Sequence, residues 1–193
     1  NTSPERSAGK AFDGHVQTLA LADINDIQID PLAWMKTDIT RFSLPERYVL
    51  FVPGSSPGHP EKRWPPEHYA NLGRKLTHKG LPVVLIGTDN DADVTSYIKS
   101  EIPEAIDLTG KTGLYDIAGL ARGAGMTIGN DTGPVHIAAA TGTPCLVLFN
   151  TKKSDPARHA PLGRDVRTLS HRSIGQITPD DVIAKLGPIP ETQ

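Results

Sequence analysis

Short apolar runs that alternate with helix-like stretches constrain the fold of this chain more than any other feature. The run 48–52 is continuous and aliphatic or aromatic, which is typical of a strand buried on both faces. Further strand-like runs follow at 83–86, 106–108, 126–128 and 145–149. Strands that alternate with helices at this spacing predict right-handed crossovers. We therefore expect an α/β fold, a Rossmann-like doubly wound parallel sheet.

The stretches between these runs carry helix-end signals. Pro65 and Pro66 suit the first turn of a helix, and Gly80 suits its end. Asp89 or Asn90 is a candidate cap for the next helix. The predicted helices cover about 65–80, 90–100, 114–121, 134–141 and 178–187. Residues 1–47 lack this rhythm, so we expect a linker or the remnant of an upstream domain there, a Rossmann-like domain over 48–187 and a tail over 188–193.

Composition excludes several classes of function. Twenty Lys and Arg against 22 Asp and Glu give a net charge of −2, which argues against a general nucleic-acid binder. Apolar runs stay far below the length of a membrane span, so no span is expected. Cys145 is the single cysteine, which suits a reducing compartment. The seven histidines form no spacing typical of a metal site, so no metal is expected.

The run Gly-Asn-Asp-Thr-Gly-Pro-Val-His over 129–136 predicts an anion site. It follows a predicted buried strand and opens a helix, where unpaired N–H groups and the helix dipole attract negative charge. Thr132 adds a hydroxyl, Gly133 allows close approach of a ligand, and His136 lies one turn into the helix. The competing interpretation is an ordinary N-cap, in which Asp131 or Thr132 binds its own helix.

A second candidate loop follows the first predicted strand. Pro-Gly-Ser-Ser over 53–56 precedes the basic pair Lys62 and Arg63. Backbone N–H groups, hydroxyls and a lysine charge favour phosphate binding, whereas a solvated turn with a basic surface pair is the competing interpretation. Both loops follow parallel strands and meet at one edge of the sheet. Together they predict a diphosphate held between them.

These motifs stand in an order that resembles a known family. The runs PGSS, KRWPPEHYANL, GLPVVLIG, DLTGKTGLYDIAGLARGA and IGNDTGPVHIAAATGTPCLVLF resemble the bacterial ADP-heptose:lipopolysaccharide heptosyltransferases, which are family nine glycosyltransferases. The resemblance covers about 48–149. It implies a GT-B enzyme, in which two Rossmann-like domains face each other across a cleft, and the chain is similar to the C-terminal, donor-binding domain.

The resemblance also implies roles for individual residues. Lys62 would contact the phosphates of ADP-heptose, and Asp131, Thr132 and Gly133 would bind its diphosphate without a metal or other cofactor. Ser55 lies in the matching first loop, Asp89 (with Asp91 as the fallback) would bind the ribose hydroxyls, and His136 matches a family histidine. The family's proposed general base lies in the other domain, so no catalytic residue is expected in this half.

The function implied is that of an inverting glycosyltransferase of lipopolysaccharide core biosynthesis, either cytoplasmic or peripheral at the cytoplasmic face of the inner membrane. The lipopolysaccharide core acceptor would bind through an N-terminal domain, and the isolated half would be inactive. The chain would then be a piece of an enzyme about twice as long, or a natural truncation. Alternatives are a non-catalytic nucleotide-binding module and a nucleotide-sugar epimerase-like domain.

The chain departs from the family pattern after the last predicted strand. The loop 150–164 carries four basic residues against one acidic residue, a net charge of +3. A basic loop of this kind suits a phosphorylated lipopolysaccharide core as the acceptor.

Overall fold

The computed structural model describes residues 9–186, which contain one parallel sheet of six strands in the order β3-β2-β1-β4-β5-β6. The strands are β1 (Val49–Val52), β2 (Val83–Leu85), β3 (Ile106–Asp107), β4 (Met126–Asn130), β5 (Cys145–Asn150) and β6 (Val166–His171). The helices are α1 (Ala11–Ala20), α2 (Pro66–Thr77), α3 (Ala92–Glu101), α4 (Leu114–Gly123), α5 (Gly133–Ala140), α6 (Pro156–His159) and α7 (Pro179–Leu186). The predicted α/β class and doubly wound parallel sheet are confirmed.

Helices cover both faces of the sheet. Side chains of β1 alternate between two buried clusters, with Val49 and Phe51 in one and Leu50 and Val52 in the other. The first cluster takes apolar residues from α2, α3 and α7, and the second takes them from α4 and α5. Since neither face meets water, β1, β2 and the first five residues of β5 are apolar throughout, which explains the continuous runs in the sequence, whereas β4 includes the buried polar residues Thr127 and Asn130.

Strand β6 is an element that the apolar runs did not predict. It pairs with β5 along its whole length, from Cys145↔Val166 to Asn150↔His171. Its residues are partly or fully exposed because it lies at the edge of the sheet. An edge strand needs no continuous apolar run, so its sequence carries a weaker signal. Helices α1 and α6 were also not predicted, and α1 buries none of its residues.

The strand order reverses between β1 and β4, which are adjacent in the sheet although two strands separate them in the chain. Loops on opposite sides of this reversal point leave a crevice at the carboxyl edge, where doubly wound sheets bind ligands. The predicted helix stop at Gly187 and the predicted tail 188–193 lie outside the described residues. Among residues 9–186, none of the helices has the length and apolarity needed to cross a membrane.

Candidate functional site

A cleft of about 530 Å³ opens at the carboxyl ends of β1, β2 and β4. Its lining comes from the loop after β1, the turn after β2 and the first turns of α4 and α5. Three of the predicted site residues line it, namely Ser55, Thr132 and Gly133. The cleft therefore occupies the crevice at the reversal of strand order.

The first turn of α5 is open to the cleft. Thr132 is the N-cap, and its side chain makes no capping hydrogen bond within the described chain. A Cβ added at Gly133 would meet nothing within 4 Å, so a ligand can approach the backbone there. Pro134 has no N–H and the Val135 N–H donates to the Thr132 carbonyl at 3.1 Å, which leaves the Gly133 N–H, with its partial positive charge, to face a ligand. The interpretation of this run as an ordinary side-chain N-cap is wrong, and the geometry fits an anion.

The Asp131 carboxylate, directly before α5, contacts two basic side chains. Lys62 Nζ lies 2.8 Å from its Oδ2, and His136 Nε2 lies 3.7 Å from its Oδ1. Burial alone would raise the pKa of Asp131, but interactions with His136, Lys62 and Ser154 outweigh it and hold the pKa well below its ordinary value. The carboxylate is therefore ionised at neutral pH. Because an ammonium has three donors, Lys62 can bind Asp131 and a ligand together.

Acid should remove the stabilisation that this carboxylate provides. A carboxylate whose pKa is lower in the folded protein than in the unfolded chain stabilises the fold at pH values above its unfolded pKa of about 4. This stabilisation is lost as the pH falls through the folded-state pKa. We expect Asp131→Asn to be less stable than the parent at pH 7, with the gap narrowing between pH 5 and pH 3. Urea unfolding of both proteins across this range measures the gap. A gap that stays constant, or widens with acid, contradicts the prediction.

Arg63 joins the two loops on the β1–β2 side of the cleft. Its Nε donates to Ser55 Oγ at 3.1 Å, and a terminal nitrogen donates to Asp91 Oδ1 at 2.9 Å. The Ser55 hydroxyl in turn donates to the His59 carbonyl at 2.9 Å, so its hydrogen is used within the loop. The interpretation of Lys62 and Arg63 as a basic surface pair is wrong, because each binds an acidic residue from another loop.

Two buried asparagines hold the segment that carries Lys62. Asn130, at the end of β4, donates to the carbonyls of Pro53 (2.7 Å) and Gly54 (3.1 Å) and accepts from the N–H of Trp64 (3.0 Å). Asn150, at the end of β5, donates to the carbonyl of Glu61 at 2.8 Å. Sequence reasoning assigned neither a role. Their position in the sequence could have indicated this role, since each is a polar residue that ends a buried strand.

The acidic residues after β2 take different positions. Asp89 is exposed and lies outside the lining of the cleft, and its carboxylate lies against Gly110, where an added Cβ would clash with its Oδ1. Asp91, the fallback, lines the cleft, but its oxygens already accept from Arg63 and from the N–H and hydroxyl of Thr88. Neither carboxylate is free inside the cleft in this arrangement. The role of Asp89 stays a prediction.

The α4 wall of the cleft is apolar, which sequence reasoning missed. Leu114 and Ile117 on α4 and Ile86 after β2 line this wall, and Leu114 is 62% exposed. An exposed leucine inside a cleft provides an apolar surface for a planar ring. Residues 9–186 contain no cluster of three or more potential metal ligands.

Comparison with known proteins connects this chain to a family. The family model described as glycosyltransferase family 9 (heptosyltransferase) matches residues 20–180. The lipooligosaccharide heptosyltransferase 2 of Haemophilus influenzae is 31% identical over 167 residues, which cover 74% of this chain and 47% of that protein. The chain spans about half the length of the curated relatives it matches.

Solved structures agree with this match. The structure of the E. coli ADP-heptose lipopolysaccharide heptosyltransferase II is 29% identical and superposes with a TM-score of 0.69, covering 83% of this chain and 51% of that one. A family 9 glycosyltransferase from Veillonella parvula is 20% identical, with a TM-score of 0.78 and coverage of 95% and 60%. The second comparison shows the fold alone.

Proposed function

Because the chain belongs to glycosyltransferase family 9 (heptosyltransferase), we propose that it binds the nucleotide-sugar donor, of the ADP-heptose type, of an inverting glycosyltransferase in lipopolysaccharide core biosynthesis. One observation carries the proposal above all: the first turn of α5 opens into the cleft, and Asp131, which binds Lys62 and lies outside the lining, directly precedes that turn. The E. coli and Haemophilus relatives are named as heptosyltransferases, and the E. coli structure names ADP-heptose.

The diphosphate binds at α5 in this proposal. The Gly133 N–H, just before Pro134, donates to its oxygens, and the Thr132 hydroxyl is available as a further donor. Lys62 supplies a full positive charge while Asp131 fixes its position. The Asp131 carboxylate does not bind phosphate directly, because two anions in contact would repel each other. Its contribution is to orient Lys62, with His136 on its other side.

The nucleoside end binds on the other side of the cleft. Ile86, Leu114 and Ile117 present an apolar wall that suits a face of the adenine ring. Asp89 is the proposed partner of the ribose hydroxyls, and its exposed side chain must turn away from Gly110 to reach them. Ser55 and Arg63 hold the loop that closes the cleft between these two ends.

The proposed reaction is an in-line displacement at the anomeric carbon of the donor. The acceptor hydroxyl forms the new C–O bond, its proton passes to a base on a facing domain, and the bond to the ADP oxygen breaks. ADP leaves with additional negative charge, which Lys62 and the start of α5 stabilise electrostatically. The lipopolysaccharide core acceptor and a cytoplasmic or inner-membrane-peripheral location belong to the same proposal.

Calorimetric titration tests this assignment. We expect this chain to bind ADP more tightly than UDP, GDP or AMP. Lys62→Met should weaken ADP binding about tenfold, since it removes a charge-assisted hydrogen bond, while AMP affinity changes little. Lys79→Met, an equivalent change at an exposed lysine after α2, is the matched control and should bind ADP like the parent. If the Lys62 variant and the parent bind ADP equally, the diphosphate assignment is wrong.

A further inference from the structure

Four basic residues, which we call the basic rim, follow β5 and β6 at the carboxyl edge of the sheet: Lys152, Lys153, Arg158 and Arg172. The β5–β6 ladder ends at Asn150↔His171, and the Thr151 N–H still donates to the His171 carbonyl at 3.0 Å. Lys152 and Arg172 therefore leave adjacent strands within two residues of the last pair. The cationic side chains after β5 and β6 originate from one corner of the molecule.

Arg164, the remaining basic residue of the loop 150–164, belongs to the opposite edge. It directly precedes Asp165, whose carbonyl accepts from the Cys145 N–H at the amino end of β5. The sequence-based idea of one basic loop therefore needs correction, because the chain crosses from one edge of the sheet to the other within it.

The positive charge of the basic rim is largely unneutralised. Glu61 binds Lys153 at 3.3 Å but also interacts with His59, and the Asp155 carboxylate accepts from the Ala157 N–H at the start of α6. Within residues 9–186, neither Lys152 nor Arg172 has a carboxylate within 4 Å, and the same is true of Arg158. Lys152 and Arg172 are exposed. Unpaired cations held together repel each other and favour an anionic partner.

The basic rim is fixed to the donor side of the site. The Asn150 side chain donates to the carbonyl of Glu61, the residue before Lys62, and accepts from the Lys152 N–H at 3.1 Å. Lys153 of the rim also lies 3.3 Å from the Glu61 carboxylate. These contacts place the rim next to the Lys62–Asp131 pair, while the apolar wall for the nucleoside lies across the cleft.

We propose that the basic rim binds an anionic saccharide, the acceptor on which the donor site acts. The role as acceptor rests on the proposed function, whereas saccharide binding can be measured independently. With the diphosphate at α5, the sugar of the donor lies toward Lys62, and an acceptor held at the rim is next to it. Arginine and lysine suit this task because both donate several hydrogen bonds to phosphate or carboxylate oxygens.

A charge-reversed variant tests the rim. The probe is a deacylated, phosphorylated lipopolysaccharide core oligosaccharide, titrated into the full 193-residue chain at low and at physiological salt. We expect Lys152→Glu/Arg172→Glu to bind the probe about tenfold more weakly than the parent at low salt, with a smaller difference at high salt. Lys79→Glu/Arg164→Glu, the same charge change at exposed residues outside the rim, should bind like the parent.

Further titrations separate the possible failures. Neutral maltoheptaose should bind neither protein, and ADP should bind the parent and the rim variant equally. A probe that does not bind the parent, or binds the two double variants equally, overturns the proposal. Rim-dependent binding to anionic lipid vesicles without oligosaccharide binding overturns it in favour of a membrane contact. If the parent does not bind ADP but binds the oligosaccharide through the rim, only the donor-site proposal is contradicted.

Discussion

Asn130→Ala is expected to destabilise the protein by about 3 kcal/mol and to abolish ADP binding even where the chain remains folded. Asn130 is fully buried and forms hydrogen bonds with four backbone or side-chain groups. Its removal leaves the carbonyls of Pro53 and Gly54 and the N–H of Trp64 without partners in the interior. Each buried polar group that loses its partner costs about 1–3 kcal/mol.

The expected loss of ADP binding follows from the position of the two segments that Asn130 connects. Pro53 and Gly54 begin the loop after β1 that forms one wall of the cleft, and Trp64 follows the pair Lys62 and Arg63. Without Asn130, the loop after β1 loses the two side-chain hydrogen bonds that join it to the end of β4, and the segment 62–64 keeps the Lys62–Asp131 pair. We therefore expect the cleft to lose its shape before the sheet itself unfolds.

Urea unfolding and ADP titration of the same samples measure both effects. Asn71→Ala, at an exposed position of α2, is the matched control and should change stability by less than about 0.5 kcal/mol. Asn130→Asp provides a second comparison, because it keeps the shape but removes the donor to the two carbonyls and introduces a buried charge. Unchanged stability in both Asn130 variants would refute the assigned role.

The fold could be predicted because its signal is local and strong. A strand buried on both faces is mostly apolar, so β1 and the first five residues of β5 are visible as single runs. The first turn of α5 was equally visible, because a strand, a Thr-Gly-Pro sequence and a helix are contiguous. Strand β6 was not, since an edge position relaxes the requirement for apolar residues.

The partners of the polar side chains could not be predicted in the same way. Arg63 binds Asp91, 28 positions away, and Asn130 binds the Trp64 N–H, 66 positions away. Nothing in a single sequence distinguishes a buried asparagine that joins two loops from one in a solvated turn. Lys62 was singled out for its charge, but its pairing with Asp131 was not predicted, because the orientation of a carboxylate depends on the folded loop.

The Arg63–Asp91 pair should show strong coupling in a double-mutant cycle. The side chains are 23% and 8% exposed, and the pair spans the loops after β1 and β2. We expect Arg63→Ala to cost about 2 kcal/mol, below the 3–5 kcal/mol typical of a fully buried pair because water still reaches the guanidinium. Arg63→Ala/Asp91→Asn should cost less than the sum of the single variants, since it leaves no unpaired buried carboxylate.

The same pair sets the distance between the two loops. A Cβ added at Gly54 would lie 2.6 Å from the Asp91 carboxylate, so the backbone of the first loop packs directly on this acid. Gly54→Ala should therefore displace Asp91 from Arg63 and weaken ADP binding, whereas Gly58→Ala, where an added Cβ meets nothing within 4 Å, should do neither. Urea unfolding of the four proteins of the cycle and ADP titration of the glycine variants measure these effects. If the losses of unfolding free energy add in the cycle, or if Gly54→Ala and Gly58→Ala bind ADP equally, contacts other than the Arg63–Asp91 pair set the spacing of the two loops.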